Sequence, residues 1–200
     1  MAIKTLIFDF GNVIGFFDRK VAARQLAGLA DSGQEGRILE FLESDPDGFR
    51  YELGQVDCSW MINRLRNEFG IRGTDQTIRK AYSDMFAKNR AVCDLVPEFK
   101  KDKRLLLLSN TNPMHFEQLE TCFQDTLSLF DALILSHQAG SRKPDKNIYE
   151  LSLGKANAAP EECCLIDDLA ENIRAAGKLG IRGIVYHPGI DLLQTLKNMA

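Results

Sequence analysis

Four clusters of polar residues interrupt the apolar stretches of this chain, and each contains side chains that can do chemistry. Each cluster falls at or just beyond the end of a short apolar run. A single cluster has an ordinary structural use, because carboxylates, hydroxyls and amides often cap helices and close turns. A carboxylate, a hydroxyl, a lysine and a carboxylate pair in this order seldom arise by chance. The clusters are Asp9-Phe10-Gly11-Asn12-Val13, Ser109-Asn110-Thr111-Asn112, Ser141-Arg142-Lys143-Pro144-Asp145 and Asp167-Asp168.

Transfer of a phosphoryl group would use the whole set. Asp9 is the candidate nucleophile, because a carboxylate can attack phosphorus and form an aspartyl phosphate. Mg²⁺ prefers oxygen ligands, and Asp9, the Gly11 carbonyl and Asp167 could supply them beside an oxygen of the substrate phosphate. The hydroxyl of Ser109 and the free N–H groups at a helix start, at Ser109 and Asn110, suit the non-reacting phosphate oxygens, so both residues are substrate-binding candidates.

Two further residues complete the predicted site. Lys143 would neutralise the charge that accumulates on the nucleophile and the phosphoryl group, so it is both a catalytic and a substrate-binding candidate, as Ser109 is. Asp168 would not bind the metal directly but would orient metal-bound water or Lys143. The sequence therefore predicts a Mg²⁺ site and a small phosphorylated molecule as the substrate.

Five short apolar runs would position these clusters. None of them alternates polar with apolar residues, which predicts strands buried on both faces, as in a parallel sheet covered by helices. Helical patterns lie between them. The pair Asn112-Pro113 is typical of a helix start, and Gly180 is typical of a helix end. Strands that alternate with helices predict a doubly wound α/β fold. The predicted strands are 5–8, 105–108, 132–135, 163–166 and 183–186.

The stretch between the first two predicted strands breaks this alternation, because its pattern is helical throughout. Apolar residues recur there three or four positions apart, which predicts a small bundle of helices. We therefore predict an α/β core of residues 1–16 and 96–200 and a helical cap of residues 17–95. Such an insertion would stand over the carboxyl ends of the strands, where open α/β sheets bind ligands. The apolar stripes are Ala22, Leu26 and Leu29; Met61, Leu65 and Phe69; and Ile78, Tyr82 and Phe86.

The ordered motifs resemble the haloacid dehalogenase-like (HAD) superfamily over essentially the whole chain. The first two look particularly like the bacterial alpha-D-glucose-1-phosphate phosphatase branch. The resemblance implies a Rossmann-like core with a C1-type helical cap, and a HAD-like hydrolase of phosphoric monoesters. It also implies Mg²⁺ as the cofactor, an aspartyl-phosphate intermediate, and a sugar phosphate as one candidate substrate. The motifs are Asp9-Phe10-Gly11-Asn12-Val13, Leu108-Ser109-Asn110-Thr111-Asn112, Arg142-Lys143-Pro144 and Ile166-Asp167-Asp168.

One position departs from the family pattern. Most HAD phosphatases carry a second aspartate two residues after the nucleophile, which protonates the leaving group and then activates water. Gly11 stands there in this chain, as glycine does in the glucose-1-phosphate phosphatase branch. Two alternatives follow. One is a 2-haloacid dehalogenase-type hydrolase, which needs no metal and lacks a pair such as Asp167-Asp168. The other is a non-catalytic binding or regulatory protein without the general acid.

The composition limits the classes of partner that we expect for this chain. With 25 basic and 28 acidic residues the net charge is -3, which disfavours nucleic acid as a ligand. No apolar run approaches the roughly 20 residues that span a bilayer, so we expect no membrane partner. The five cysteines are odd in number and form no C-x-x-C pair, which predicts reduced thiols in a cytoplasmic protein. The three histidines fit no metal-ligand spacing, and no pattern identifies the individual substrate or the oligomeric state.

Overall fold

A parallel sheet of five short strands organises the chain. The computed structural model describes residues 1–199 and orders the strands β5-β4-β1-β6-β7, all parallel. The predicted doubly wound α/β fold is confirmed. The first and third predicted strands have the predicted bounds, and the others differ by one residue at one or both ends. The strands are β1 (Thr5–Phe8), β4 (Arg104–Ser109), β5 (Ala132–Leu135), β6 (Cys163–Asp167) and β7 (Arg182–Val185).

Both faces of the sheet are buried, which explains why its strands are apolar at successive positions. Leu6 and Phe8 pack on one face, with Phe99 and Phe116 in the same cluster. Ile7 lies in a second cluster on the opposite face, because successive side chains of a strand alternate between faces. The helices of this part are α6 (Arg90–Cys93), α7 (Val96–Lys100), α8 (Pro113–Cys122), α9 (Gln124–Leu127), α10 (Ser136–Ala139), α11 (Lys146–Ala156), α12 (Ala170–Gly177) and α13 (Leu192–Asn198).

Five helices follow the first strand and share a hydrophobic cluster of their own. The cluster contains Leu26, Ile38, Leu65 and Ile78, and it includes Met114 from α8. Most residues of the predicted helical stripes lie in helices, but Leu29 falls just beyond the end of α1, and the boundaries 1–16, 17–95 and 96–200 stay a prediction. Within residues 1–199, no helix is both long enough and apolar enough to cross a bilayer. The five helices are α1 (Arg19–Ala27), α2 (Glu35–Ser44), α3 (Gly48–Glu52), α4 (Cys58–Phe69) and α5 (Asp75–Ser83).

A short antiparallel strand pair corrects the expectation that this insertion is helical throughout. Strand β2 (Gly15–Phe17) pairs with β3 (Phe86–Lys88) where the chain leaves and re-enters the sheet region. Phe86 was expected to continue the stripe of Ile78 and Tyr82, but α5 ends before it. Each strand has only three residues, and pairing between positions so far apart leaves no periodic signal in either segment.

We expect Gly15→Ala to lower the free energy of unfolding by about 1–3 kcal/mol through overpacking. A Cβ at Gly15 would lie 2.7 Å from Cζ of Phe10 and 3.0 Å from Cζ of Phe123. A Cβ at Gly36, near the start of α2, would have nothing within 4 Å, so Gly36→Ala is the matched control. We expect the control to be neutral or to stabilise by up to about 1 kcal/mol. Urea denaturation measures both, and equal stability of the two variants would contradict this packing account.

Candidate active site

The carboxyl edge of the sheet brings together the polar residues that follow β1, β4 and β6. Ser109 and Asp167 are the last residues of their strands, and Asp9 comes directly after β1. The backbone N–H of Asp9 donates to the Ile166 carbonyl at 2.9 Å, so Asp9 continues the line of β1 beside β6. All three side chains are buried. The parallel register therefore places a hydroxyl and two carboxylates at one edge, as the sequence predicted.

Lys143 lies between the two carboxylates. Its Nζ is 2.7 Å from Oδ1 of Asp9 and 2.7 Å from Oδ2 of Asp167. The lysine is only 2% exposed, so its charge is balanced by these partners and not by water. Burial disfavours the charged ammonium, but the two carboxylates outweigh it and raise the pKa of Lys143. Lys143 therefore stays protonated at the centre of the site.

Asn110 holds the backbone of Lys143 in place. Its Nδ2 donates to the Lys143 carbonyl at 2.9 Å, and its Oδ1 accepts the Lys143 N–H at 2.8 Å. The Asn110 amide side chain is thus engaged, and any contact of Asn110 with a substrate phosphate would use its backbone N–H. The helix α8 begins three residues later at Pro113, with Asn112 as its N-cap. The sequence did not predict this positioning contact.

A tight turn after Asp9 orients the first cluster. The Phe10 N–H donates to Oδ1 of Asp9 at 2.6 Å, and the Phe10 carbonyl accepts the N–H groups of Ile14 and Gly15 at 2.9 Å. Asn12 adopts the left-handed conformation with φ 56°, which asparagine tolerates better than most residues.

Side-chain amides hold the two carboxylates of the fourth cluster. Nδ2 of Asn12 donates to Oδ2 of Asp168 at 2.9 Å. Buried Asn172 donates through Nδ2 to both oxygens of Asp167, at 2.9 and 3.1 Å. The Leu169 N–H donates to Oδ1 of Asp167 at 2.9 Å. Both carboxylates are therefore oriented by neighbours and not by chance contacts with solvent.

Three carboxylates form a group that can hold a cation. Oxygen atoms of Asp9, Asp167 and Asp168 lie within 4.8 Å of one another. When all three carboxylates are ionised, they and Lys143 carry three negative charges and one positive charge, which leaves two negative charges for a cation to balance. Carboxylate oxygens are the ligands that Mg²⁺ and Ca²⁺ prefer, so the donor set fits the predicted metal. The part played by the Gly11 carbonyl stays a prediction.

The pKa of Asp9 also indicates that the site requires a cation. Burial raises the pKa of Asp9 to about 7, Lys143 opposes the shift, and the charges of Asp167 and Asp168 add to it. A carboxylate with such a pKa is partly protonated at neutral pH and is then a poor nucleophile. A divalent cation among the three carboxylates would favour the ionised form.

An aromatic ring occupies the space beside Gly11, where most HAD phosphatases carry the second aspartate. A Cβ at Gly11 would lie 3.1 Å from Cε1 of Phe17, and the Arg19 guanidinium lies 4.8 Å from the centroid of the same ring. Arg19 also lines a cavity of ≈ 320 Å³ between the inserted helices and the loops of the sheet. This cavity begins next to the site, because Asn112 and Arg142 line it too. The sequence predicted neither the ring beside Gly11 nor the cavity.

Comparison with known proteins identifies the family. A family model of haloacid dehalogenase-like hydrolases matches residues 3–180. The chain belongs to this family. It is 29% identical to the D-ribitol-5-phosphate phosphatase of Bacteroides thetaiotaomicron, over 97% of each chain. It is 25% identical to the sesquiterpene phosphatase astK of Aspergillus oryzae, over 90% of this chain and 88% of that protein.

A solved structure shares the fold. A HAD family enzyme of Bacteroides thetaiotaomicron, in complex with magnesium and inorganic phosphate, superposes with a TM-score of 0.84 at 23% identity. The match covers 97% of this chain and 99% of that chain. The predicted family and its Rossmann-like fold are confirmed, and this chain is a HAD-like hydrolase.

We expect Lys143→Met to lower the free energy of unfolding by about 3 kcal/mol at pH 8 without metal, because two buried carboxylates lose their cation. Loss of the ammonium raises the folded-state pKa of Asp9 further above its unfolded value, because Lys143 is the group that opposes the upward shift. The penalty is therefore present above that raised pKa and fades as the pH falls through it towards pH 5. Urea denaturation in EDTA at both pH values measures the difference.

The matched control is Lys146→Met. Lys146 is exposed, and within residues 1–199 its one ion pair is with Glu150 at 2.7 Å, so we expect its loss to cost less than about 1 kcal/mol. Equal losses for Lys143→Met and Lys146→Met would show that the buried pairs do not constrain the fold.

Proposed function

We propose that this chain is a Mg²⁺-dependent phosphatase that hydrolyses a small phosphomonoester through an aspartyl phosphate on Asp9. One observation carries the proposal: the Lys143 ammonium is 2.7 Å from both Asp9 and Asp167, and Asp168 lies in the same carboxylate group. The group keeps an excess of negative charge that a divalent cation would balance, and the bound cation would also attract the anionic phosphoryl group of a substrate. A 2-haloacid is itself a carboxylate, so a site with this excess of negative charge and no divalent cation would repel it.

The two oxygens of Asp9 have different surroundings. Oδ1 accepts from Lys143 and from the Phe10 N–H, whereas Oδ2 accepts no hydrogen bond from any residue in the described range 1–199. We assign the attack to Oδ2. Its bond to phosphorus forms as the bond between phosphorus and the leaving-group oxygen breaks. The leaving-group oxygen departs with the bonding electrons and takes a proton from solvent. A water then attacks phosphorus and gives up a proton to solvent as the bond between phosphorus and Oδ2 breaks, which releases inorganic phosphate and restores the Asp9 carboxylate.

The surrounding residues have separate tasks in this proposal. Lys143 stays charged and stabilises the negative charge shared by Asp9 and the phosphoryl oxygens. The Ser109 hydroxyl donates to a non-reacting phosphate oxygen. Asp9, the Gly11 carbonyl and Asp167 would hold Mg²⁺. Asp168 would orient metal-bound water or Lys143. The bound ion would supply further neutralisation of the phosphoryl charge.

The proposed substrate class is a sugar phosphate or sugar-alcohol phosphate. Similarity to the D-ribitol-5-phosphate phosphatase over 97% of both chains supports it. A first screen would compare D-ribitol 5-phosphate, glucose 1-phosphate, glucose 6-phosphate and p-nitrophenyl phosphate, each with Mg²⁺ and with EDTA.

We expect Asp9→Asn to lower kcat by at least about 10³-fold, because an amide neither attacks phosphorus nor binds Mg²⁺ well. EDTA should abolish turnover by the wild-type enzyme. The Asp167→Ala variant should need a higher Mg²⁺ concentration than the wild type or show no turnover. Release of inorganic phosphate measures all three. Asp191→Asn is the control, because Asp191 only caps α13. Full turnover in EDTA, with chloride release from 2-chloropropionate, would instead establish the dehalogenase alternative.

We also expect kcat/KM to fall steeply as the pKa of the leaving group rises, because Gly11 offers no acid to protonate it. A sugar 1-phosphate should therefore react faster than the matching 6-phosphate. Gly11→Asp should flatten the dependence, and it should do so more fully with Phe17→Leu, because a Cβ at Gly11 lies 3.1 Å from the Phe17 ring. A flat dependence in the wild type with chemistry rate-limiting would show that another residue acts as the acid.

A further inference from the structure

Residues that line the cavity beside the site hold most of the buried polar atoms that lack a hydrogen bond. Within residues 1–199, five buried side-chain nitrogen or oxygen atoms accept or donate no hydrogen bond. Three of the five belong to residues that line this cavity: Oε2 of Glu52, Nε2 of His115 and Nε of Arg142. Buried polar groups are almost always hydrogen-bonded, so three at one cavity require an explanation. A polar ligand that enters the cavity would provide it.

His115 presents a hydrogen-bond donor there. Oδ1 of Asn112 accepts the His115 backbone N–H at 3.0 Å, which turns the Asn112 amide nitrogen towards the imidazole. That nitrogen lies 3.0 Å from Nδ1 of His115, so Nδ1 is the acceptor and the proton of the neutral ring is on Nε2. Burial lowers the pKa of His115 to about 3, the charge of Arg19 adds to the shift, and the Tyr82 backbone opposes it. The ring is therefore neutral, and its Nε2–H makes no well-aligned hydrogen bond.

Glu52 and Arg142 add an acceptor and a second donor. Nη2 of Arg142 lies 3.1 Å from Oε2 of Glu52, close enough for an ion pair, although Oε2 accepts no hydrogen bond. The Arg142 guanidinium also lies 4.4 Å from the centroid of the Phe49 ring, which is half exposed. Charges of both signs line the cavity, with Arg19 and Arg142 beside Glu43, Asp45 and Glu52, so charge alone selects neither an anion nor a cation there. Buried donors and acceptors that make no hydrogen bond in such a mixed setting match hydroxyl groups, each of which can both donate and accept.

The position of the cavity fits the organic part of the substrate. Arg142 precedes Lys143 in the chain, and Arg19 lies over the Phe17 ring, which contacts the Gly11 position. A phosphoryl group at Asp9 would therefore have its leaving group directed towards this space. The three polar atoms are covered in the present geometry, so a ligand reaches them when the lining side chains shift.

We infer that this cavity selects a polyhydroxylated leaving group, and that the Nε2–H of His115 donates a hydrogen bond to one of its hydroxyls. The inference rests on the proposed function and names the substrate class of the same site. It distinguishes a sugar or sugar-alcohol phosphate from an apolar isoprenyl phosphate, for which these buried polar atoms would remain unpartnered. His115 is then a specificity-determining residue.

Two substitutions separate this role from a structural one. His115→Gln keeps an amide near the Nε2 position. His115→Asn keeps an amide near the Nδ1 position, where Asn112 contacts the ring, but it removes the Nε2–H donor. The readout is the ratio of kcat/KM for D-ribitol 5-phosphate to kcat/KM for p-nitrophenyl phosphate. We expect His115→Asn to lower this ratio about tenfold and His115→Gln to lower it by less than about threefold. The exposed His187 gives the control His187→Asn, with an unchanged ratio.

Binding without turnover gives a second readout. In the Asp9→Asn background, with Mg²⁺ raised to the same high concentration for both variants to offset the weaker binding of the ion, titration calorimetry should show D-ribitol 5-phosphate binding more weakly after His115→Asn than after His115→Gln. The reverse order in either assay would assign His115 a structural role at Asn112 and overturn the inference. A wild-type preference for farnesyl phosphate over every sugar phosphate would also overturn it, with the proposed function intact. Absence of Mg²⁺-dependent p-nitrophenyl phosphate hydrolysis would overturn the proposed function, and calorimetry would still decide the inference.

Discussion

The buried ion pairs of Lys143 with Asp9 and Asp167 are the constraint on which the rest of the site depends. The carboxylates follow or end neighbouring parallel strands, so the register of the sheet forces two negative charges together. Removing charge from water is costly, and such an arrangement is stable only when a countercharge lies between the carboxylates. The lysine comes from the loop beyond β5, two strands away from β1 in the sheet. That loop must therefore be fixed, and the reciprocal hydrogen bonds of Asn110 fix it.

The inserted helices rest on the same part of the core that carries the site. The Tyr51 hydroxyl of α3 accepts the Met114 N–H at 3.3 Å, and the Met114 side chain packs among the helices of the insertion. Arg79 of α5 pairs with Glu117 of α8 at 3.2 Å. The helix α8 begins just after the second polar cluster. It therefore contacts the helices that line the cavity and also follows the loop that would bind phosphate. A shift of α8 would change both the cavity and the position of that loop beside the carboxylates.

Local sequence patterns predicted the sheet and the convergence of the polar clusters at one edge of it. They could not predict contacts between residues that are far apart in the chain. Buried parallel strands leave unbroken apolar runs, and polar residues at their ends must meet at one edge, so Asp9, Ser109 and Asp167 could be placed from sequence. Asn12 contacts Asp168, and Asn110 contacts Lys143, across separations that no periodicity reports. His115 is similar: its donor is defined by Asn112 and by burial under the inserted helices, neither of which is visible in a lone histidine of the sequence.

The absence of a side chain at Gly11 makes the central claim directly measurable. The residue that would activate water for the second step is missing, so an aspartyl phosphate should persist longer than in an enzyme with two aspartates. Mixing enzyme, Mg²⁺ and substrate, quenching in acid and analysing peptides by mass spectrometry would detect it. The account predicts a phosphoryl group on the peptide that contains Asp9, appearing before steady state and lost in Asp9→Asn. Turnover with that peptide unmodified, or with the phosphoryl group on another residue, would contradict it.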